Sequence, residues 1–155
     1  MRNYSYLVLY LNGYTLDKFN FEHICYITKT ENGLDWPLSN KIMNQGVYQL
    51  WYKGEVIKNG CWGEGKTKRI NNRISGYRNV INNLEGFRNG TKKKNGSFNT
   101  VDLIDKRLQV GEKVEMRAVA LPDNIIGKDG LPWKVDLYLI EDHFKNKHKD
   151  TIWLI

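Results

Sequence analysis

The sequence predicts a mixed α/β (α+β) fold, a small antiparallel sheet flanked by helices, with a β-rich N-terminal extension. Three observations carry that expectation. Short β-branched and aromatic runs are punctuated by turn dipeptides through the first 58 residues. Two of those runs are so close that they must be joined as an antiparallel hairpin. From Thr67 onward the apolar spacing changes, with Ile70, Ile74, Tyr77, Ile81 and Leu84 marking one face of an amphipathic helix.

Each element follows from local chemistry. Residues 4–11 (YSYLVLYL) read as a strand ended by Asn12-Gly13. Tyrosines interrupt this apolar run and no small-residue cleavage site follows it, so a half-buried strand fits better than a signal peptide. Residues 24–29 read as another strand before the Asn32-Gly33 turn. Pro37 and the polar stretch 38–45 separate an N-terminal extension, residues 1–43, from a core of residues 44–155.

Within that core, 47–52 (VYQLWY) and 55–58 (EVIK) form a hairpin about Lys53-Gly54, and 59–65 (NGCWGEG) reads as loop. Thr67 is the expected N-cap of the first helix and Gly86 its stop. Residues 86–99 form a basic, glycine-rich loop, and Thr100 caps a second helix that Gly111 closes. Residues 113–121 (KVEMRAVAL) read as a third core strand, and 122–132 as a turn region. A last helix, about 134–147, buries Val135, Leu139, Ile140 and Phe144.

The totals exclude several classes of protein. No apolar run reaches 18 residues, which excludes a membrane-spanning helix of the usual kind. Two cysteines, Cys25 and Cys61, are too few for a disulfide framework or a common zinc site, so a reducing, cytoplasmic compartment is expected. The formal charge of +7 is unevenly spread. Residues 53–94 hold eleven Lys/Arg against Glu55, Glu64 and Glu85, a local net of +8, while the rest of the chain sums to −1. Such a concentrated field attracts a polyanion, though a solvated basic face would carry the same charge.

On these elements stand residues that resemble the GIY-YIG nuclease family. Gly46-Val47-Tyr48 opens the hairpin, with valine where the family has isoleucine. Arg73 is followed four residues later by Tyr77 on the first helix, and Val135-Asp136-Leu-Tyr-Leu-Ile140 is similar to the family's helix that carries a metal-binding carboxylate. The resemblance spans about residues 44 to 153 and is nearest to the small type II restriction enzymes and phage endonucleases of the family. No Tyr-Ile-Gly occurs. Lys58-Asn59-Gly60 stands ten residues after Tyr48, where one branch of restriction enzymes also has lysine. A rival alignment puts Gly65-Lys66-Thr67 on the motif glycine and leaves Gly63 where a tyrosine belongs.

The resemblance implies a Mg²⁺-dependent endonuclease acting on double-stranded DNA, with a homodimer as one way to cut both strands. Tyr48 would be the general base, its phenol (pKa about 10 when free) acidified by a nearby cation such as Lys58. Arg73 would grip phosphate oxygens in a planar fork. Tyr77, one turn on, also completes the apolar stripe, so core packing and catalysis both remain open for it. Asp136 is preferred as the metal ligand, although an aspartate in a helix's first turn has a purely structural use. Glu141 is the alternative, of the family's usual length. It lies about 140° round the helix from Asp136 and has Lys145 four residues on. Lys66, Lys68, Arg69, Arg78, Lys92, Lys93, Lys94 and Asn99 are the candidate DNA contacts. Catalysis also requires Tyr48 and Lys58 on one face of the hairpin. A three-residue loop, 53–55, or a bulge that pairs Tyr52 with Val56 is therefore expected.

Overall fold

The computed structural model describes residues 19–63, 69–127, 129–151 and 153. The expected strand at 4–11, the cap Thr67 and the basic residues Lys66 and Lys68 lie outside them.

Five strands build one antiparallel sheet: β1 (Glu22–Thr30), β2 (Gly33–Asp35), β3 (Gly46–Tyr52), β4 (Glu55–Trp62) and β5 (Lys113–Ala120), in the order β2-β1-β5-β3-β4. β5 takes the centre because its alternating Val114, Met116 and Ala118 are fully buried. It pairs with β3 from Gly46↔Ala120 to Trp51↔Glu115 and with β1 from Glu22↔Ala118 to Thr28↔Lys113. The strand expected at 24–29 thus sits inside the same sheet as the hairpin. β4 is an edge.

Side chains alternate across the sheet, and the two faces receive different helices. Tyr48, Leu50, Ile27, Val114 and Met116 share a core with α1 (Ile70–Asn82), the short α2 (Leu84–Arg88) and α3 (Gly96–Arg107). Val47, one residue from Tyr48, points the other way. It joins Leu121, Ile125, Val135, Leu137, Ile140 and Phe144 under α4 (Leu137–Lys147) and a small hairpin of β6 (Asn124–Ile126) and β7 (Pro132–Lys134). None of these helices is long and apolar enough to cross a membrane.

Several boundaries differ from the sequence expectation for identifiable reasons. Residues 59–62 continue β4 instead of looping, because Gly60, Cys61 and Trp62 keep their pairing with Tyr48, Val47 and Gly46. Helix α1 follows Arg69, which offers no side-chain cap; the amide of Ile70 donates to the Met43 carbonyl at 3.0 Å instead. The helix breaks at Asn83, not Gly86, which lies within α2. Asn95, not Thr100, caps α3, its side chain accepting from the Phe98 amide at 2.8 Å. Thr100 is fully buried in that helix, its hydroxyl donating to the Gly96 carbonyl. The expected turn at 122–132 contains β6 and the start of β7. α4 therefore begins at Leu137, and Val135 is buried just ahead of it.

Candidate active site

The site begins with the hairpin register. Lys53 (φ 49°) and Gly54 (φ 81°) both take positive φ, the two-residue turn whose twist suits antiparallel strands. Tyr52 therefore pairs with Glu55, not with Val56. Continued without interruption, that pairing would put Tyr48 and Lys58 on opposite faces. The register instead shifts at Ile57: Trp51 pairs with Val56, Leu50 with Lys58 and Tyr48 with Gly60. This bulge, three residues beyond the turn, brings Lys58 onto the face of Tyr48.

Two glycines are required by close approach. A Cβ on Gly46 would meet the Val119 carbonyl oxygen at 2.0 Å, and one on Gly60 would lie 2.4–2.6 Å from the Tyr48 ring and hydroxyl. The Tyr48 ring lies across the space that a side chain at Gly60 would fill. Gly60→Ala is expected to cost about 1–3 kcal/mol through overpacking. It should also displace the Tyr48 hydroxyl, so denaturant unfolding and activity should fall together.

Tyr48 and Tyr77 are fully buried, their hydroxyls 2.5 Å apart. Tyr77 is held from behind by Trp36, stacked at 4.1 Å between ring centroids and 7° between planes. Arg73 stands over the pair: Nε donates to the Tyr48 hydroxyl at 3.4 Å and Nη2 to that of Tyr77 at 3.3 Å. Burial raises the Tyr48 pKa well above the ordinary phenol value, the neighbouring Tyr77 adds to this, and Arg73 opposes it. Burial works against the Arg73 charge, but the two tyrosine oxygens more than offset it and the guanidinium stays protonated.

Beside this group a cleft of about 210 Å³ opens at the β4 edge, lined by Tyr48, Lys58, Gly60, Cys61, Trp62, Arg73, Tyr138 and Glu141. Lys58 has its pKa lowered, first by burial and further by Lys145 and Arg73, with Tyr77 and Glu141 pulling the other way. Glu141 comes from α4, and its Oε1 accepts from Lys145 Nζ at 2.7 Å. Strand β3, edge strand β4, α1 and α4 thus each supply part of one polar cleft. Such a cleft holds a cation fork, a carboxylate, an amine and a tyrosine pair, the inventory needed to bind a phosphodiester and move a proton beside it.

The sequence candidates separate accordingly. Tyr48, Lys58, Arg73 and Glu141 come together in the cleft, with Tyr77 behind them. Asp136 does not line it: it is the N-cap of α4, its Oδ1 accepting from the Leu139 amide at 3.0 Å. Arg78 serves the fold, Nη1 donating to the Trp36 carbonyl at 2.7 Å. Arg69, Lys92, Lys93, Lys94 and Asn99 are exposed, and Lys94 sits over the Phe98 ring. Cys61, Trp62 and Tyr138 were not expected in the wall. The signal for Tyr138 lay in its spacing, one turn before Glu141 on the same helix.

No protein-family model matches the chain, and no curated protein matches it. A solved structure does share its fold. A Glu-to-Ala mutant of bacteriophage T4 EndoII, a phage endonuclease, aligns with a TM-score of 0.60 at 21% identity, covering 90% of this chain and 95% of that one. The restriction endonuclease HPY188I in complex with product DNA aligns with a TM-score of 0.45 at 18% identity, covering 83% of this chain and 76% of that one. The described residues share the fold of that phage endonuclease, a five-stranded antiparallel sheet flanked by four helices.

Proposed function

We propose that this chain is a Mg²⁺-dependent endonuclease of the GIY-YIG kind that hydrolyses phosphodiester bonds in double-stranded DNA, of restriction or phage type. The observation that carries the reading is the convergence of Tyr48, Lys58, Arg73 and Glu141, from four separate elements, on one cleft. The fold shared with a phage endonuclease and the basic segment 53–94 support it.

Glu141 is the carboxylate that lines the cleft. A single carboxylate joined by substrate phosphate oxygens matches the way Mg²⁺ is held, since the ion keeps several of its waters. Asp136, engaged at the helix terminus, is the less suitable donor. The chemistry such an ion supplies is neutralisation of the charge that builds on the phosphate. Arg73, which lines the same cleft, shares that task. Its bonds to the tyrosine hydroxyls are long, so its donors can turn to phosphate oxygens at little cost. Tyr48 takes the proton from the attacking water, with Arg73 stabilising the phenolate and Tyr77 fixing the hydroxyl's direction. In this reading Arg73, and not Lys58, is the cation that opposes the upward shift of the Tyr48 pKa.

Incubation of supercoiled plasmid with the protein, in Mg²⁺ or in EDTA, tests the reading directly. Conversion to nicked or linear product in Mg²⁺ alone is expected; retardation of plasmid without cleavage would mark a silent DNA-binding module on the same scaffold. A linear product with no nicked precursor would further indicate two copies acting together on DNA.

Binding itself should be salt-dependent. With about six phosphates contacted, log K should fall against log salt with a slope of roughly −5. Neutralising the exposed Lys92, Lys93 and Lys94 should flatten that slope in a fluorescence-anisotropy titration. An unchanged slope would place the 90–95 loop away from the DNA.

A further inference from the structure

Glu141 already has a cationic partner. Lys145, one turn later in α4, places Nζ 2.7 Å from Glu141 Oε1. The carboxylate side chain is 13% exposed and the lysine side chain 48% exposed, so the pair runs from the cleft wall out to solvent. Among the described residues Glu141 is the sole carboxylate in the cleft lining, and no group of three His, Cys, Asp or Glu could together hold an ion. Two cations facing the same carboxylate repel one another, and Mg²⁺ gives up its waters reluctantly. A lone carboxylate already neutralised by an ammonium is therefore a poor ligand. The lysine, half exposed on a flexible stem beside the cleft's carboxylate, has a second acceptor available once a DNA phosphate arrives.

Resting on the reading of Glu141 as metal ligand, we propose that Lys145 is an internal counter-ion that competes with the divalent cation for Glu141 and releases it when DNA phosphate draws the ammonium away. Metal and DNA then bind with positive coupling, each favouring the arrangement in which Lys145 has left the carboxylate. The protein without DNA holds its ion weakly, and the complete site forms on the substrate.

Mn²⁺ binding to the full chain without DNA, measured from the loss of the free-ion electron paramagnetic resonance signal, tests this apart from activity. Lys145→Met keeps the stem and removes the charge, and should tighten Mn²⁺ binding about fivefold. Lys145→Gln should do the same, and carries the test if the methionine variant does not fold. Lys145→Arg should bind as the wild type does, and Glu141→Gln should lose saturable binding. If Lys145→Met and Lys145→Gln bind no more tightly than wild type while Glu141→Gln abolishes binding, the counter-ion role is overturned and Glu141 stands as ligand. If Glu141→Gln binds Mn²⁺ as wild type does, both the counter-ion role and the ligand assignment fall.

Discussion

Glu141→Gln is expected to lower the plasmid cleavage rate by about 10³-fold, the several kcal/mol that loss of a phosphate-neutralising ion removes from transition-state stabilisation. Affinity for DNA measured in EDTA should not fall, because the substitution removes a negative charge and leaves Lys145 free to meet a phosphate. Stability should change little as well, since Lys145 is half exposed and its ion pair is worth little to folding. Asp136→Ala makes the contrasting variant. It removes the N-cap of α4 and leaves the Leu139 amide without that acceptor, a cost of about 1 kcal/mol. The melting temperature should drop by a few degrees, roughly 2–4 °C, with cleavage retained at a temperature where the protein is folded. A dead Asp136→Ala and an active Glu141→Gln, both folded, would reverse the assignment of the two carboxylates.

Tyr48→Phe should reduce cleavage by about 10²–10⁴-fold, the usual contribution of a positioned general base. The ring is retained and the buried Tyr77 hydroxyl keeps its bond from Arg73, so folding should suffer by only about 1 kcal/mol. The pH profile identifies the base. Burial holds the Tyr48 pKa above its ordinary value, so near neutrality only a small fraction is phenolate, and that fraction grows about tenfold per pH unit. The log rate should climb with a slope of about one through the neutral range and into alkali. Arg73 opposes the upward shift, so Arg73→Met should move the profile still higher and lower the rate at every neutral pH. Lys58 behaves differently. Burial lowers its pKa, so as a base it would reach its active neutral form at lower pH than an ordinary lysine. A profile that levels off before the tyrosine range and turns flat in Lys58→Met would make the Lys58 amine the base in place of Tyr48.

Much of this architecture is decided by local chemistry that a sequence carries openly. The aromatic and β-branched run from 47 to 52, the four-three spacing from Ile70 and the alternating Val114, Met116 and Ala118 each depend only on neighbours along the chain. The hairpin, α1 and β5 therefore lie where the residues put them, and Tyr48, Arg73 and Tyr77 fall on elements whose faces can be worked out beforehand. Element ends are less legible. Asn95 and Thr100 are both acceptable caps by residue type, and the burial of Thr100 within α3 is what left the terminus to Asn95.

Which of Asp136 and Glu141 lines the cleft, and the parity of Lys58, were decided only by tertiary structure. Asp136 and Glu141 differ by five residues, and either could face the cleft until the start of α4 is known. The β6–β7 hairpin takes up residues 132–134 and moves that start to Leu137, which makes Asp136 the cap and turns Glu141 toward Lys58 and Arg73. Lys58 reaches the face of Tyr48 through the register shift at Ile57, a residue whose side chain is drawn into the core with α1 and α3. Nothing in the local pattern of residues 55–60 marks that bulge, because its stability comes from what Ile57 buries against across the sheet.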